Sequence, residues 1–280
     1  MAQRDYLIGE IAQDAVEGLI TRRDALRRLG LLGVGLAAAA TLLAACGDDE
    51  PAASSTTAVP TTGPVTPSGQ GETITFTGPG GELTAAWAEA AEPKGAVLVM
   101  HENRGLTPHF QELVGRFAAD GYSALCVDLA TVAGGLEGAS DADVLAALKA
   151  GLDELVRRTG AAKVGAVGFC FGGGTAWQLI QDGDDRLAAV APFYGTPPEP
   201  ADFSASEAEV LAVYGELDAR VNATQDGATA ALEAAGLTHT VKVFPGADHA
   251  FFNDTGPRYD PAAATTAYRL LLDLFARTLA

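Results

Sequence analysis

GAVGFCFGGG, residues 165–174, is a glycine-dense run with one cysteine at its centre, and it follows Lys163 and Val164. A phosphate-binding loop is one interpretation of so many glycines. A Walker loop requires a lysine before its Ser or Thr, which GGGT lacks, and a dinucleotide loop requires GxGxxG spacing, which these glycines do not give. Both phosphate interpretations therefore fail.

The same run matches a nucleophile elbow of the form Gly168-x-Cys170-x-Gly172. In such an elbow the chain turns sharply from a strand into a helix, so the residues two before and two after the nucleophile must lack a Cβ. Cys170 would then begin a helix, where the helix dipole and free N–H groups favour a thiolate. The alternative is a structural cysteine beside a glycine packing contact, since free cysteines are usually buried.

Strands and helices alternate on both sides of this turn. Apolar runs predict strands over 95–102, 123–129, 163–169, 187–195, 209–218 and 238–246, after an opening hairpin of 72–78 and 82–90. Helical spacing predicts helices over 107–122, 141–158 and 262–278, the first with Thr107 as N-cap and Gly121 as C-cap. This order predicts an α/β protein with a mostly parallel central sheet and helices on both faces.

Polar side chains collect at the ends of the predicted strands, where such sheets bind their ligands. They are His101, Glu102, Asp128, Cys170, Tyr194, Asp218, Asp248 and His249. α/β-Hydrolases place their catalytic groups in the order nucleophile, acid, histidine. Alone, Asp218 could be a helix cap and His249 a surface histidine, but after the elbow they predict a Cys170, Asp218, His249 triad, with Glu216 and Asp248 as competing acids.

With these residues in place, the chain resembles the dienelactone hydrolase (carboxymethylenebutenolidase-like) family of α/β-hydrolases over about residues 71–280. The most specific pieces are HENRGL (101–106), GFCFGG (168–173), GELD (215–218) and DHAFFND (248–254). The resemblance implies an α/β-hydrolase fold, a Cys-Asp-His triad, no metal, no cofactor and hydrolysis of small esters or lactones. It also favours Asp218 among the acids, because Ala219-Arg220-Val221 resembles the acid loop of the family.

The resemblance implies roles for three further groups. Glu102 would contact the resting cysteine, move away when substrate arrives and so help to form the thiolate; otherwise it is a polar loop residue or a partner of Arg104. The backbone N–H groups of Phe171 and Asn103 would hold the oxyanion of the reacting ester.

The substrate-binding residues depart from the family pattern. Members that act on dienelactone bind its carboxylate with arginines, but residues 130–143 contain no basic residue and Asn253 stands four positions after His249. Tyr194, Arg104 and Arg258 are the remaining candidates for contacts to the substrate. We therefore expect a small ester or lactone rather than dienelactone itself.

The first 45 residues have the composition of a signal peptide. TRRDALRR (21–28) precedes an uncharged run of 17 residues, 29–45, and residues 21–26 resemble a twin-arginine signal. Leu43-Ala44-Ala45-Cys46 resembles a lipobox, with Cys46 as the lipidated first residue of the mature protein. The alternative, a transmembrane anchor, is at the lower limit of length.

The domain organisation that follows is a signal peptide (1–45), a lipid-anchored flexible linker (46–70) and a catalytic domain (71–280). The linker is built from Pro, Ser, Thr, Ala and Gly, a composition that cannot bury a core. The enzyme would be exported and held by acyl chains on the outer side of the cytoplasmic membrane, which is its only expected contact with a membrane.

Charge and cysteine content narrow the remaining possibilities. A formal net charge of −18 argues against nucleic acid as a partner. The expected partner is the small ester or lactone that the resemblance implies, and the protein is expected to be a monomer. In the α/β-hydrolase topology that the resemblance implies, the third strand lies between the strands of Cys126 and Cys170, which are then about 9.6 Å apart, so the two cysteines should not pair. His101 and His109 have no third ligand at a recognisable spacing, so no metal is expected. The rival functions are an exported ligand-binding lipoprotein and a non-catalytic hydrolase fold.

Overall fold

The computed structural model describes residues 3–45 and 69–279, in which one eight-stranded sheet is surrounded by helices. The strands are β1 (Glu72–Gly78), β2 (Gly81–Ala88), β3 (Gly95–Met100), β4 (Tyr122–Val127), β5 (Val164–Phe169), β6 (Leu187–Phe193), β7 (Glu209–Gly215) and β8 (His239–Phe244). The helices are α1 (Gln3–Val16), α2 (Arg22–Leu31), α3 (Leu36–Ala45), α4 (Pro108–Ala119), α5 (Gly135–Gly138), α6 (Asp141–Thr159), α7 (Phe171–Asp182), α8 (Ala219–Asn222), α9 (Gln225–Ala234) and α10 (Pro261–Thr278). Cys46 and residues 47–68 of the predicted linker lie outside the described residues.

The sheet is mostly parallel, as predicted. Its order is β1-β2-β4-β3-β5-β6-β7-β8, in which β1 pairs antiparallel with β2, β2 pairs antiparallel with β4, and all later neighbours run parallel. β4 and β5 are buried at every position, which explains why they appear in the sequence as continuous apolar runs. All six parallel strands therefore present their carboxyl ends at one edge of the sheet.

Helices cover both faces of the sheet. α6 packs close to β3 and β4, since a Cβ on Gly151 would lie 2.6 Å from the Val127 side chain. α10 covers the other side of the neighbouring strands, since a Cβ on Gly165 would lie 2.6 Å from the ring of Phe275. The glycines at these two positions let a helix and a strand approach closely.

The termini of the predicted helix after β3 differ slightly from expectation. Thr107 is extended (φ −74°, ψ 165°) and precedes Pro108 at the first turn of α4, but its side chain makes no capping hydrogen bond. Asp120 is the C-cap, and Gly121 follows it with φ 95°. The left-handed backbone that glycine favours is thus used one position after the cap.

The two cysteines in the described part of the catalytic domain are free and buried. Cys126 lies in β4, where it pairs with Val99 of β3 and Ala86 of β2, whereas Cys170 follows β5. Because β3 lies between β4 and β5, the expectation that these cysteines do not pair is met.

The N-terminal segment forms three helices, α1 to α3, that pack against one another, and α1 also packs against α7. Its buried apolar side chains are Tyr6, Leu7, Ile11, Ala12, Ala25, Leu29, Leu32, Ala39 and Leu43. No helix within residues 3–45 or 69–279 is long and apolar enough to cross a membrane. The prediction of a signal peptide for residues 1–45 did not include the position of this segment on the catalytic domain.

Candidate active site

Cys170 occupies the sharp turn between β5 and α7. Its backbone is in an unusual conformation for a residue with a side chain (φ 57°, ψ −113°), and its N–H donates to the Phe193 carbonyl at 3.0 Å. A Cβ on Gly168 would lie 1.9 Å from the Gly172 oxygen, and one on Gly172 would lie 2.2 Å from the Met100 oxygen. Both glycines are therefore required by close backbone contacts, and the strained turn aims the thiol at the edge of the sheet.

The candidate base and acid meet beside this turn. His249 follows β8 and Asp218 follows β7, and the His249 Nδ1 lies 2.5 Å from the Asp218 Oδ2. The second oxygen of Asp218 accepts from the Val221 N–H at 3.1 Å, so the carboxylate also caps the short helix α8. These two bonds fix the carboxylate, and the carboxylate fixes the ring of His249.

The competing acids have other partners. Glu216 accepts from the Gly246 N–H at 2.7 Å, and Asp248 accepts from the backbone N–H of His249 at 2.6 Å. Neither carboxylate is the one that binds the imidazole ring. Of the three predicted candidates, the structure places Asp218 on the histidine.

His249 is poised as a cation. The ring is 3% exposed, and the Nε2 and the Cys170 Sγ lie within 4.8 Å of one another. Burial lowers the pKa of His249, but the negative charge of Cys170 and the hydrogen bond with Asp218 outweigh it and raise the pKa to about 9. A histidine that keeps its proton beside a cysteine can form the ion pair that activates a cysteine nucleophile once the thiol has lost its own proton.

Two side chains of α1 lie directly on these groups, and the sequence analysis missed both. The Tyr6 hydroxyl donates to the Cys170 Sγ at 3.3 Å, and the Cys170 thiol donates to the Glu10 Oε2 at 3.2 Å. The same Glu10 oxygen lies 3.2 Å from the His249 Nε2, without the alignment of a hydrogen bond. One signal was available: Glu10, Asp14 and Glu17 follow helical spacing and form an acidic face on α1.

Glu102 is placed differently from its predicted contact. It shares the cavity with Cys170, but its Oε2 accepts from the Asn253 Nδ2 at 2.8 Å and lies 3.8 Å from the Arg104 guanidinium. Its Oε1 is buried without a hydrogen bond to any described residue. Among the described residues, the carboxylate that contacts the Cys170 thiol is that of Glu10. The predicted contact between Glu102 and the resting cysteine is therefore not present in this structure.

The two predicted oxyanion donors lie in the elbow and in the loop after β3. Phe171 is the first residue of α7, where backbone N–H groups have no acceptor within the helix. Asn103 is buried, and its position is fixed through Arg28, whose guanidinium donates to the Asn103 carbonyl at 2.8 Å, and through Asp14, which accepts from the Asn103 side chain at 3.0 Å.

The substrate-binding candidates line the site or pack beneath it. Arg104 and Arg258 line the same cavity as Cys170 and His249, and the Arg258 Nε lies 3.2 Å from Glu17. Tyr194 is fully buried with φ 39°, its ring lies edge-on to His249 at 5.0 Å, and its hydroxyl has no hydrogen bond to a described residue. Tyr194 therefore packs against the ring of His249, whereas the two arginines line the cavity.

Other histidines of the sequence have structural partners. The His101 Nδ1 contacts the Glu102 carbonyl at 2.7 Å, and its Nε2 accepts from the Leu129 N–H at 2.9 Å. Burial lowers the pKa of His101, which is consistent with a neutral ring. His109 contacts Asp254 at 2.8 Å, away from the thiol.

One group of side chains has the spacing of metal ligands. Glu10, Cys170 and His249 offer a carboxylate oxygen, a sulfur and an imidazole nitrogen, all within 4.8 Å of one another. A metal bound there would use the sulfur and the imidazole nitrogen that an attacking cysteine and its base would need to have free. The two uses of these atoms exclude each other.

Comparisons with known proteins agree with this geometry. The sequence pattern of the Dienelactone hydrolase family matches residues 83–279. A "Putative carboxymethylenebutenolidase" of Saccharolobus solfataricus is 26% identical over 243 residues, covering 70% of this chain and 94% of the relative. A protein of the same description from Methylorubrum extorquens is 31% identical over 225 residues, covering 70% and 77%.

Solved structures show the same fold. The "Putative Dienelactone Hydrolase" of Klebsiella pneumoniae superposes with a TM-score of 0.66 at 28% identity, covering 74% of this chain and 99% of that structure. The dienelactone hydrolase of Anabaena variabilis superposes with a TM-score of 0.63 at 21% identity, covering 75% and 99%, a likeness of fold. The sheet order, the elbow and the matched pattern lead to one conclusion: this chain has the α/β-hydrolase fold and belongs to the dienelactone hydrolase family.

Proposed function

We propose that this protein hydrolyses small carboxylic esters or lactones through a thioester on Cys170. The observation that carries the proposal is the arrangement of Asp218, His249 and Cys170: the Asp218 carboxylate lies 2.5 Å from the imidazole, and the imidazole lies within 4.8 Å of the Cys170 sulfur at the elbow. A ligand-binding protein would not need a nucleophile, a base and an acid gathered at one edge of the sheet. The hydrolase family supports the same reaction class.

The reaction begins with the Cys170 thiolate and the His249 imidazolium. The sulfur attacks the ester carbonyl carbon and forms a tetrahedral intermediate, whose oxyanion takes the electron pair of the carbonyl. The intermediate collapses, the bond to the alcohol oxygen breaks, and His249 gives its Nε2 proton to that oxygen. The products of this step are an alcohol, or the opened end of a lactone, and an acyl thioester on Cys170.

Water completes the cycle. The Nε2 of His249, now neutral, accepts a proton from water, and the hydroxide attacks the thioester carbonyl. Collapse releases the carboxylic acid and restores the thiolate. Throughout the cycle the Asp218 carboxylate accepts a hydrogen bond from the Nδ1–H of His249, and so keeps the ring in the tautomer that the reaction needs.

The oxyanion is held by the backbone N–H groups of Phe171 and Asn103 in this proposal. The N-terminal position of Phe171 in α7 supports it, because donors there point out of the helix and carry its positive end. Glu102, whose Oε1 has no described hydrogen-bond partner, would assist formation of the thiolate from within the cavity.

Hydrolysis of a panel of small esters and lactones tests this function. Because α1 lies on the thiol, the assay is run on the full chain and on protein cut within residues 46–68 after folding. We expect turnover of p-nitrophenyl acetate and of simple lactones by the cut protein once the N-terminal fragment has been removed, measured as chromophore or acid release. If no compound of the panel is turned over by protein whose Cys170 still reacts with iodoacetamide, the fold is non-catalytic.

We also propose that the protein is exported and anchored through Cys46. The supporting observations are the arginine pair Arg22-Arg23, the apolar run 29–45 and the residues Leu43-Ala44-Ala45-Cys46. Mass spectrometry of the protein extracted from membranes of the producing cells should find acyl chains on an N-terminal Cys46. An N-terminus upstream of Cys46 with an unmodified thiol would disprove the anchor.

A further inference from the structure

The N-terminal segment, residues 3–45, occupies the mouth of the active site. We propose that this segment is a built-in inhibitor, which keeps substrate away from Cys170 in the full chain and must leave before the enzyme can turn over. The proposal rests on the proposed hydrolase function, because the reaction that the segment would inhibit is the hydrolysis of esters or lactones. The occlusion of the thiol can be measured without any substrate.

The reacting atoms are covered by Glu10. Its Oε2 lies 3.2 Å from the Cys170 Sγ and 3.2 Å from the His249 Nε2. An ester must bring its carbonyl carbon within about 3.5 Å of the sulfur, and its leaving oxygen must reach the Nε2. The carboxylate of Glu10 stands in both positions, so Glu10 and a substrate exclude one another.

Tyr6 closes the other side of the sulfur. Its hydroxyl donates to the Cys170 Sγ at 3.3 Å and lies 3.4 Å from the Tyr194 carbonyl. Burial raises the pKa of Tyr6 well above its ordinary value, with the charge of Cys170 acting in the same direction, so the hydroxyl keeps its proton and remains a donor. With Tyr6 and Glu10 both in contact with its sulfur, Cys170 is 2% exposed.

Arg220 of the catalytic domain holds both residues of the inhibitor. Its guanidinium forms an ion pair with Glu10 and lies 4.5 Å from the centre of the Tyr6 ring, in a cation–π contact. Arg220 belongs to the loop that carries the catalytic acid Asp218. The inhibitor is therefore anchored on the same loop that orients the histidine.

Further polar contacts reach the parts of the site assigned to substrate and oxyanion. Glu17 pairs with Arg258, a candidate substrate-binding residue, at 3.2 Å. Asp14 accepts from the side chain of Asn103, and Arg28 of α2 donates to the carbonyl of the same residue. The segment thus covers the nucleophile, a cationic wall of the cavity and the oxyanion loop at once.

The contacts lie on one face of α1. Tyr6, Glu10 and Asp14 follow one another at intervals of four residues, and all three are buried. Val16 is 45% exposed on the opposite side. Such a division is the pattern of a helix made to dock through one face.

Removal of the segment also has a route in the sequence. Cleavage before Cys46, which the sequence predicts, would separate residues 3–45 from the catalytic domain. The enzyme would then be silent while the segment is attached and active once export has removed it. Esters inside the cell would in this way not be hydrolysed before the enzyme is exported.

The first test cuts the chain after it has folded. A protease recognition sequence is placed between residues 60 and 61, the purified full chain is cut, and the N-terminal fragment is separated by size exclusion. We expect iodoacetamide to label Cys170 at least about tenfold faster after separation, because the buried ion pair of Glu10 has been removed. The label is located by mass spectrometry of the peptide that contains Cys170, and kcat/KM for p-nitrophenyl acetate is measured in parallel.

A pair of matched variants repeats the test in the uncut chain. Glu10→Lys places an ammonium against Arg220 and should expel α1, with a labelling rate close to that of the separated protein. Val16→Lys introduces the same residue on the exposed side of the same helix, and should label at the rate of the uncut wild type. Equal labelling rates for both variants and the wild type would overturn the proposal.

The outcomes separate this proposal from the proposed function. Faster labelling without ester turnover in any form would support the inhibitor and disprove the hydrolase. Ester turnover that is unchanged by cutting, with unchanged labelling, would disprove the inhibitor and leave the hydrolase. Turnover that falls after separation would also overturn the inhibitor, since Glu10 would then assist the reaction.

Discussion

Replacement Cys170→Ala is expected to reduce kcat for p-nitrophenyl acetate by at least about a thousandfold, because the sulfur that forms the acyl bond is lost. The fold should be retained, since alanine is the smaller side chain and leaves the elbow glycines unchanged. The measurement is initial-rate kinetics on protein released from residues 3–45, together with thermal unfolding.

The other buried free cysteine provides a matched control. Cys126→Ala removes the same sulfur from β4, away from the elbow, and should keep turnover within about twofold of the parent while costing some stability. A Cys170→Ala protein that retained the activity of the parent would show that another group attacks the ester.

Replacement Asp218→Asn should also have a large effect, a loss of about a thousandfold to ten-thousandfold in kcat. The amide cannot stabilise the imidazolium, and its NH₂ group would favour the wrong tautomer of His249. Glu216→Gln, on the competing acid that contacts Gly246 instead, should leave kcat nearly unchanged. Comparable losses in the two variants would contradict the assignment of the acid.

The pH profile reports the same interaction. The pKa of His249 is raised to about 9 in the full chain, and the two groups that raise it, Cys170 and Asp218, remain in the released protein. The kcat/KM of the released protein should therefore fall as pH rises through the alkaline range in which the imidazolium loses its proton. The raised pKa also means that protonation of His249 stabilises the fold fully below about pH 6.5, and that this contribution disappears as pH rises through about 9. In Asp218→Asn the alkaline decrease of the residual activity should occur at a lower pH than in the parent. An alkaline decrease at the same pH would mean that a group other than His249 causes it.

The elbow and the candidate triad residues were predictable because they follow fixed patterns in the sequence. Gly168 is required by a backbone contact with Gly172 in the elbow, and Gly172 by one with Met100 at the end of β3, but both glycines stand at the fixed spacing of the elbow. Asp218 and His249 each follow a recognisable strand in a fixed chain order. Parallel strands bring such residues to one edge of the sheet without further information. The choice of Asp218 over Glu216 needed the family resemblance, since both acids follow the same strand.

The position of α1 could not be derived in the same way. Glu10 and Arg220 are 210 residues apart, and their contact depends on how a separate helix docks on a finished domain. The composition of residues 1–45 predicted a signal peptide and did not predict that one face of a helix would dock on the catalytic domain. The helical spacing of Glu10, Asp14 and Glu17 was nevertheless present in the sequence. The partner of Glu102 was missed for a similar reason, because Asn253 reaches it from a loop 151 residues away.

The central claim, that Cys170 forms an acyl thioester, is tested most directly by acid-quenching the released protein during turnover of p-nitrophenyl acetate and measuring the mass of the peptide that contains Cys170. We expect one acetyl group on this peptide, lost on treatment with neutral hydroxylamine and absent from Cys170→Ala. Turnover that proceeds with Cys170 never acylated, or with the acetyl group on another residue, would contradict the account.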